Sequence, residues 1–156
     1  MSTIAKKSLR VGKYVDTNHV DTLIKTYREE RWAQNSERIG QEDSASVWFS
    51  TDELEEFIQT AKKSGANGIR MHFGVYPSNY QKQEVAGLQT VVMVANKQTE
   101  TLAGTIEKDI FIDTNNGLEI LAYNMGSLGP SPFGRGIADD DEWGGIGTLV
   151  DQAANK

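Results

Sequence analysis

Gly68-Ile69-Arg70-Met71-His72-Phe73-Gly74-Val75-Tyr76-Pro77 alternates apolar and polar residues with a period of two. In an extended strand successive side chains point to opposite faces. Ile69, Met71, Phe73 and Val75 therefore share one side, and Arg70, His72 and Tyr76 share the other, with Gly74 leaving a gap among them. The expectation is that the apolar side enters a core. The guanidinium, imidazole and phenol then lie in a row, open to contact. Pro77 ends the strand, because it has no N–H to donate to a ladder.

Upstream of this ribbon lies the strongest local signal in the chain. Ser50-Thr51-Asp52-Glu53 has the spacing of a capping box, in which Ser50 bonds the Glu53 amide and Glu53 bonds back. Leu54, Phe57, Ile58 and Ala61 then form a helical stripe. Lys62 and Lys63 complement the C-terminal dipole, and Gly65 supplies a left-handed cap. Val47-Trp48-Phe49 reads as a short strand before this helix. Further upstream, Val20, Leu23, Ile24 and Tyr27 recur at helical spacing, with Asn18 as the expected cap and Trp32 as an anchor near the end. Residues 34–46 show no apolar pattern beyond Ile39 and read as a loop. Residues 1–17 read as an arm.

Downstream, residues 78–88 read as a polar loop. Gln89 to Ala95 is apolar on both faces and reads as a central strand. Residues 96–108 return to loop. Asp109 to Asp113 is extended, residues 114–117 form an Asn-Gly turn, and Leu118 to Tyr123 continues as strand or short helix. The order is helix, strand, helix, then clustered strands. This predicts an α+β fold in which a small antiparallel or mixed sheet packs against two N-terminal helices. A doubly wound nucleotide fold would need regular alternation. The predicted domain spans residues 18–125.

Beyond Tyr123 the composition shifts. Residues 126–147 hold seven of the fifteen glycines and two of the three prolines. The run 126–136 reads as unable to sustain helix or strand, so residues 126–156 form a separate Gly/Pro-rich, acidic segment. Phe133 and Trp143 are its candidate anchoring points.

Composition sets bounds on function. A chain of 156 residues is the size of one domain. Its formal charge of −6, with basic pairs only at Lys6-Lys7 and Lys62-Lys63, argues against nucleic acid and against anionic membrane. No stretch approaches the ~18 apolar residues of a spanning helix, and the first residues lack the apolar core of a secretion signal. With no cysteine there is no disulfide, thiolate or zinc–cysteine chemistry. The expected setting is the cytoplasm.

The candidate sites each carry two readings. Arg70, His72 and Tyr76 form either a binding row or the wet side of a half-buried sheet. As a catalytic row, Arg70 would hold an anion, His72 would move a proton and Tyr76 would orient the substrate. Asp139, Asp140, Asp141 and Glu142 beside Trp143 are either a solvated acidic run, a weak metal-ligating cluster, or an interaction element for a basic, aromatic groove. Asp113-x-Asn115-x-Gly117 starts like a calcium loop, but the twelfth position is Asn124 rather than a bidentate Glu, so an ordinary turn is expected. No phosphate-cradling loop and no nucleophile elbow is present. No cofactor is expected.

Val47-Trp48-Phe49-Ser50-x-x-Glu53-Leu54, Gly68-Ile69-Arg70-x-x-Phe73-Gly74-x-Tyr76-Pro77 and Thr90-Val-Val-Met-Val94 together resemble small hypothetical proteins of Bacteroidetes-type bacteria. The likeness covers about residues 20–132. It implies a bacterial origin and a recurring unit, and it carries no activity or site residue. The reading that follows is a small soluble protein that binds or assembles, using the polar ribbon face and the acidic, aromatic-bearing segment, with a protein partner or its own second copy. The rival is a small-molecule enzyme or ligand-binding domain with a His/Arg/Tyr site.

Overall fold

The computed structural model describes residues 10–129. The fold is α+β, and every strand pair is antiparallel. The first helix, α1, has three parts: α-helical Thr17–Tyr27, a π-helical turn Arg28–Trp32, and α-helical Ala33–Ile39. Its cap is Asp16, not Asn18, and the Asp16 carboxylate accepts from the His19 amide at 2.8 Å. Residues 34–39 continue the helix rather than forming loop, until Gly40 takes a left-handed conformation with φ 72°. No residue of α1 is fully buried. The helix is fastened to the body by hydrogen bonds. Trp32 Nε1 donates to the Asp43 carbonyl at 2.7 Å, and Tyr27 donates to Gln89 Oε1 at 2.9 Å.

Strand β1 (Ser46–Trp48) leads into α2 (Thr51–Lys63). The capping box forms as read: Glu53 N–H donates to Ser50 Oγ at 3.1 Å, and Ser50 N–H donates to Glu53 Oε2 at 2.7 Å. Next come β2 (Gly68–Val75), β3 (Gln89–Thr101) and β4 (Gly104–Asp109), hydrogen-bonded in that order. Residues 96–108 are therefore mostly strand, not loop. Their threonines, Thr99, Thr101 and Thr105, carry the β-branched preference that a search for apolar alternation passes over. β5 (Phe111–Thr114) and β6 (Gly117–Ile120) form the hairpin expected from the Asn-Gly turn, and β7 (Ala122–Tyr123) pairs with β3. β8 (Ser127–Gly129) pairs with β1, so the glycine-rich run does sustain strand at its start.

The core is small. Phe57 and Ala61 of α2 meet Met93 and Ala95 of β3 and Leu121. Phe49, Leu54, Ile69, Ile110, Ile112 and Tyr123 pack around them. Tyr123 lies against both Phe57 and Phe49, with ring centroids 5.4 and 5.8 Å apart. In the β2–β3 register Ile69 faces Ala95, Met71 faces Met93 and Phe73 faces Val91. Helix α2 therefore covers the Ile69–Ala95 end of this face. The cover does not reach the other end: Met71, Phe73 and Val75 are 64%, 84% and 63% exposed. The expected burial of the whole apolar side is corrected to burial of one end.

Candidate functional site

The ribbon's even-numbered side does not hold its three functional groups together. Arg70 is committed to Glu107 of β4. Its Nε donates to Glu107 Oε1 at 2.6 Å, and Nη2 donates to Oε2. Asn96 Nδ2 donates to Oε1 at 2.6 Å, and Gln98 Nε2 donates to Oε2 at 3.0 Å. Arg70 first and Gln98 next hold the Glu107 carboxyl down at about 2, with the nearby His72 adding a small electrostatic contribution. Glu107 in turn holds the Arg70 guanidinium further toward its charged form. The four side chains form a closed polar clasp across β2, β3 and β4. His72 stands exposed beside it.

Tyr76 stays in the row but is not open to contact. It is 6% exposed, where the alternation placed it on the open face. Tyr76 keeps the register of β2, its amide donating to the Leu88 carbonyl at 3.0 Å, and it is buried because Asn124, Thr90 and Tyr80 close over this end of the even-numbered face. Its hydroxyl donates to Asn124 Oδ1 at 2.9 Å and lies 3.4 Å from Thr90 Oγ1. Asn124 Nδ2 closes the network onto Thr90 Oγ1 at 3.2 Å and the Val91 carbonyl at 2.7 Å. The Tyr80 ring stacks 4.8 Å away. Arg70, His72 and Tyr76 therefore line no shared hollow.

Two open hollows lie on the described surface, and only the smaller touches the ribbon. One, of about 600 Å³, lies among Glu42, Asp43, Lys82, Glu84, Met125 and Leu128. Asp43 on its wall is structural: its Oδ1 accepts from the Ser44 and Gln89 amides, both at 2.8 Å, and ties the loop to the start of β3. The other hollow, of about 220 Å³, lies among Tyr27, Val47, Phe73 and Val91 at the uncovered end of the apolar face. Among the described residues no group of three or more His, Asp or Glu is placed to hold a metal ion. No helix there is long and apolar enough to cross a membrane. Phe133, Asp139, Asp140, Asp141, Glu142 and Trp143 lie outside the described residues.

The feature with the clearest chemical consequence is the outer edge of β2. The Tyr76 amide donates to the Leu88 carbonyl, and β2–β3 pairing follows the same register throughout. Hydrogen-bonded and non-hydrogen-bonded pairs alternate along an antiparallel ladder. Residues 70, 72 and 74 therefore bond β3, and residues 69, 71, 73 and 75 aim their N–H and C=O groups outward. On the partner strand the same alternation is visible directly. The Ala95 amide donates to Leu121 and its carbonyl accepts from Ile110, both at 2.9 Å and on the side away from β2. Among the described residues nothing pairs with the outward row. Edges are ordinarily guarded by Lys, Pro or a bulge; here the flanking side chains are Met71, Phe73 and Val75. The period-two pattern signalled these residues, but it could not show that their side would be left open.

No family model matches this chain, and neither a curated protein nor a solved structure matches it.

Proposed function

We propose that this chain is a small binding and assembly protein that takes up an extended partner strand along the free edge of β2. One observation carries the reading: eight residues of regular edge strand present four outward peptide groups beside Met71, Phe73 and Val75, all more than half exposed. Main-chain pairing supplies affinity in such strand addition, and alternate side chains supply selectivity. A protein partner fits better than nucleic acid, because the chain carries −6 and Arg70 is neutralised by Glu107. The chain's lack of cysteine suits a reducing cytoplasmic setting. The acidic segment with Phe133 and Trp143 serves as an auxiliary contact: removal of residues 130–156 is expected to weaken partner binding, and unchanged binding would exclude that role. The catalytic alternative is disfavoured, since Tyr76 is buried with its hydroxyl bonded to Asn124 and Arg70 is bonded to Glu107.

The test is a photo-reactive phenylalanine analogue at position 73 in cells, with position 102 as the control. Leu102 sits fully exposed in the β3–β4 turn, away from the edge. A discrete covalent adduct at 73 that is missing at 102 is expected. Equal, diffuse labelling at both positions would contradict the proposal.

A further inference from the structure

We infer that the strand taken up by this edge is β2 of a second copy of the same chain, paired antiparallel about His72. The inference rests on the edge-binding proposal and adds the identity of the occupant. Directly opposed residues in an antiparallel pair share one face. Self-pairing along the outer edge must therefore oppose odd with odd and even with even. The register with His72 opposite His72 gives the longest complementary match. Ile69 then faces Val75, Met71 faces Phe73, and Arg70 faces Gly74. Met71 against Phe73 is a favourable sulfur–aromatic contact. Arg70 lies over the one position with no side chain, so its clasp with Glu107 is undisturbed.

The neighbouring registers are poorer. A shift of two residues one way opposes Arg70 with His72 and leaves Val75 facing Asn67, whose amide is already bonded to the Asn96 carbonyl. A shift the other way sets Ile69 against Pro77, which has no N–H to give, and Arg70 against the buried Tyr76. In the favoured register the outward pairs are Ile69–Val75 and Met71–Phe73. The polar groups of each find a partner, and the sheet runs through from β4 of one copy to β4 of the other.

The area supports a dimer of limited strength. Cross-strand contact between Met71 and Phe73 and between Ile69 and Val75 covers the flanks of these exposed side chains. With the backbone, the two edges together bury on the order of 1,000 Å², just under the ~1,200–2,000 Å² of stable complexes. The dimer is therefore concentration-dependent, and it joins the two Met71–Phe73–Val75 stripes side by side into one apolar face.

The chain's freedom from cysteine makes the register testable. In the favoured register the two copies of residue 72 form a non-hydrogen-bonded pair with Cα atoms ~4.5 Å apart, within disulfide range. The full-length His72→Cys variant is expected to cross-link to itself under mild oxidation. Arg70→Cys and Gly74→Cys should cross-link when mixed but not alone. At Gly74 an added Cβ meets only Thr90 Cγ2, at an ordinary 3.7 Å, so that variant fits. Sedimentation of the unmodified chain should show a monomer–dimer equilibrium. Phe73→Pro should raise the dimer dissociation constant at least about tenfold, and because the lost N–H points outward the β2–β3 ladder survives; Met71→Lys provides the second variant. A monomer at every concentration up to ~1 mM, or a dimer indifferent to both variants, would overturn self-pairing. If that monomer still gave a discrete adduct with another protein at position 73, edge binding would stand while the second copy fell. Were there no adduct, both would fall.

Discussion

At the scale of single residues, the chain's polar chemistry serves cohesion. Glu107 is the clearest case. Its folded carboxyl titrates at about 2, below the ordinary ~4.3 of a free side chain. A depressed carboxylate stabilises the fold fully above the unfolded value and loses that contribution as pH falls toward the folded value. Glu107→Gln should therefore lower the urea midpoint at pH 7, and the gap from the parent should close between about pH 4.3 and pH 2. A gap that stays constant with pH would mean the clasp contributes no charge-dependent stability. Tyr76→Phe leaves Asn124 and Thr90 short of a buried partner and should cost about 1–2 kcal/mol in chemical denaturation. Gly126 is held by close approach: an added Cβ would lie 2.5 Å from Val47 Cγ1 and 2.7 Å from Phe49 Cζ. Gly126→Ala should cost about 1–3 kcal/mol through overpacking, read from the thermal or urea midpoint. The alternation foretold that Arg70 and His72 share a face. It could not foretell Glu107, which sat in a stretch that reads as loop, or the burial of Tyr76, which is set by Asn124 from a distant part of the chain closing over its end of the face.

Elements were legible where local chemistry alone decides them. The capping box of α2 is written in four consecutive residues, and both of its hydrogen bonds are present. Ser50→Ala should remove one of them and cost about 1 kcal/mol in urea unfolding, with helical content otherwise retained. The Tyr123 hydroxyl also donates to Glu53, at 2.9 Å, so the cap is tied to the core as well as to its own helix. Loss well beyond that figure would show the cap and the core contact acting as one unit. Elements were missed where an exposed face erased the apolar signal. The end of α1 and the β3–β4 hairpin are both polar, and only Gly40 and the threonines marked them. For β2 the period was right and the cover was not. A strand's alternation says which side chains share a side, and nothing in it says how far a neighbouring helix will reach along that side.

For the whole molecule, the α+β class followed from element order, and the location of the incomplete surface did not. That surface is set by the mismatch between an eight-residue ribbon and a helix that buries only its first part. On the proposed function, the outward peptide groups of residues 69, 71, 73 and 75 are taken up by another strand. Residue-resolved amide exchange across a dilution series measures this directly. The outward amides are expected to exchange rapidly in dilute solution and to become protected as concentration rises, while those of Arg70, His72 and Gly74 stay protected throughout. Outward amides that exchange equally fast at every concentration, with or without added cell extract, would contradict it.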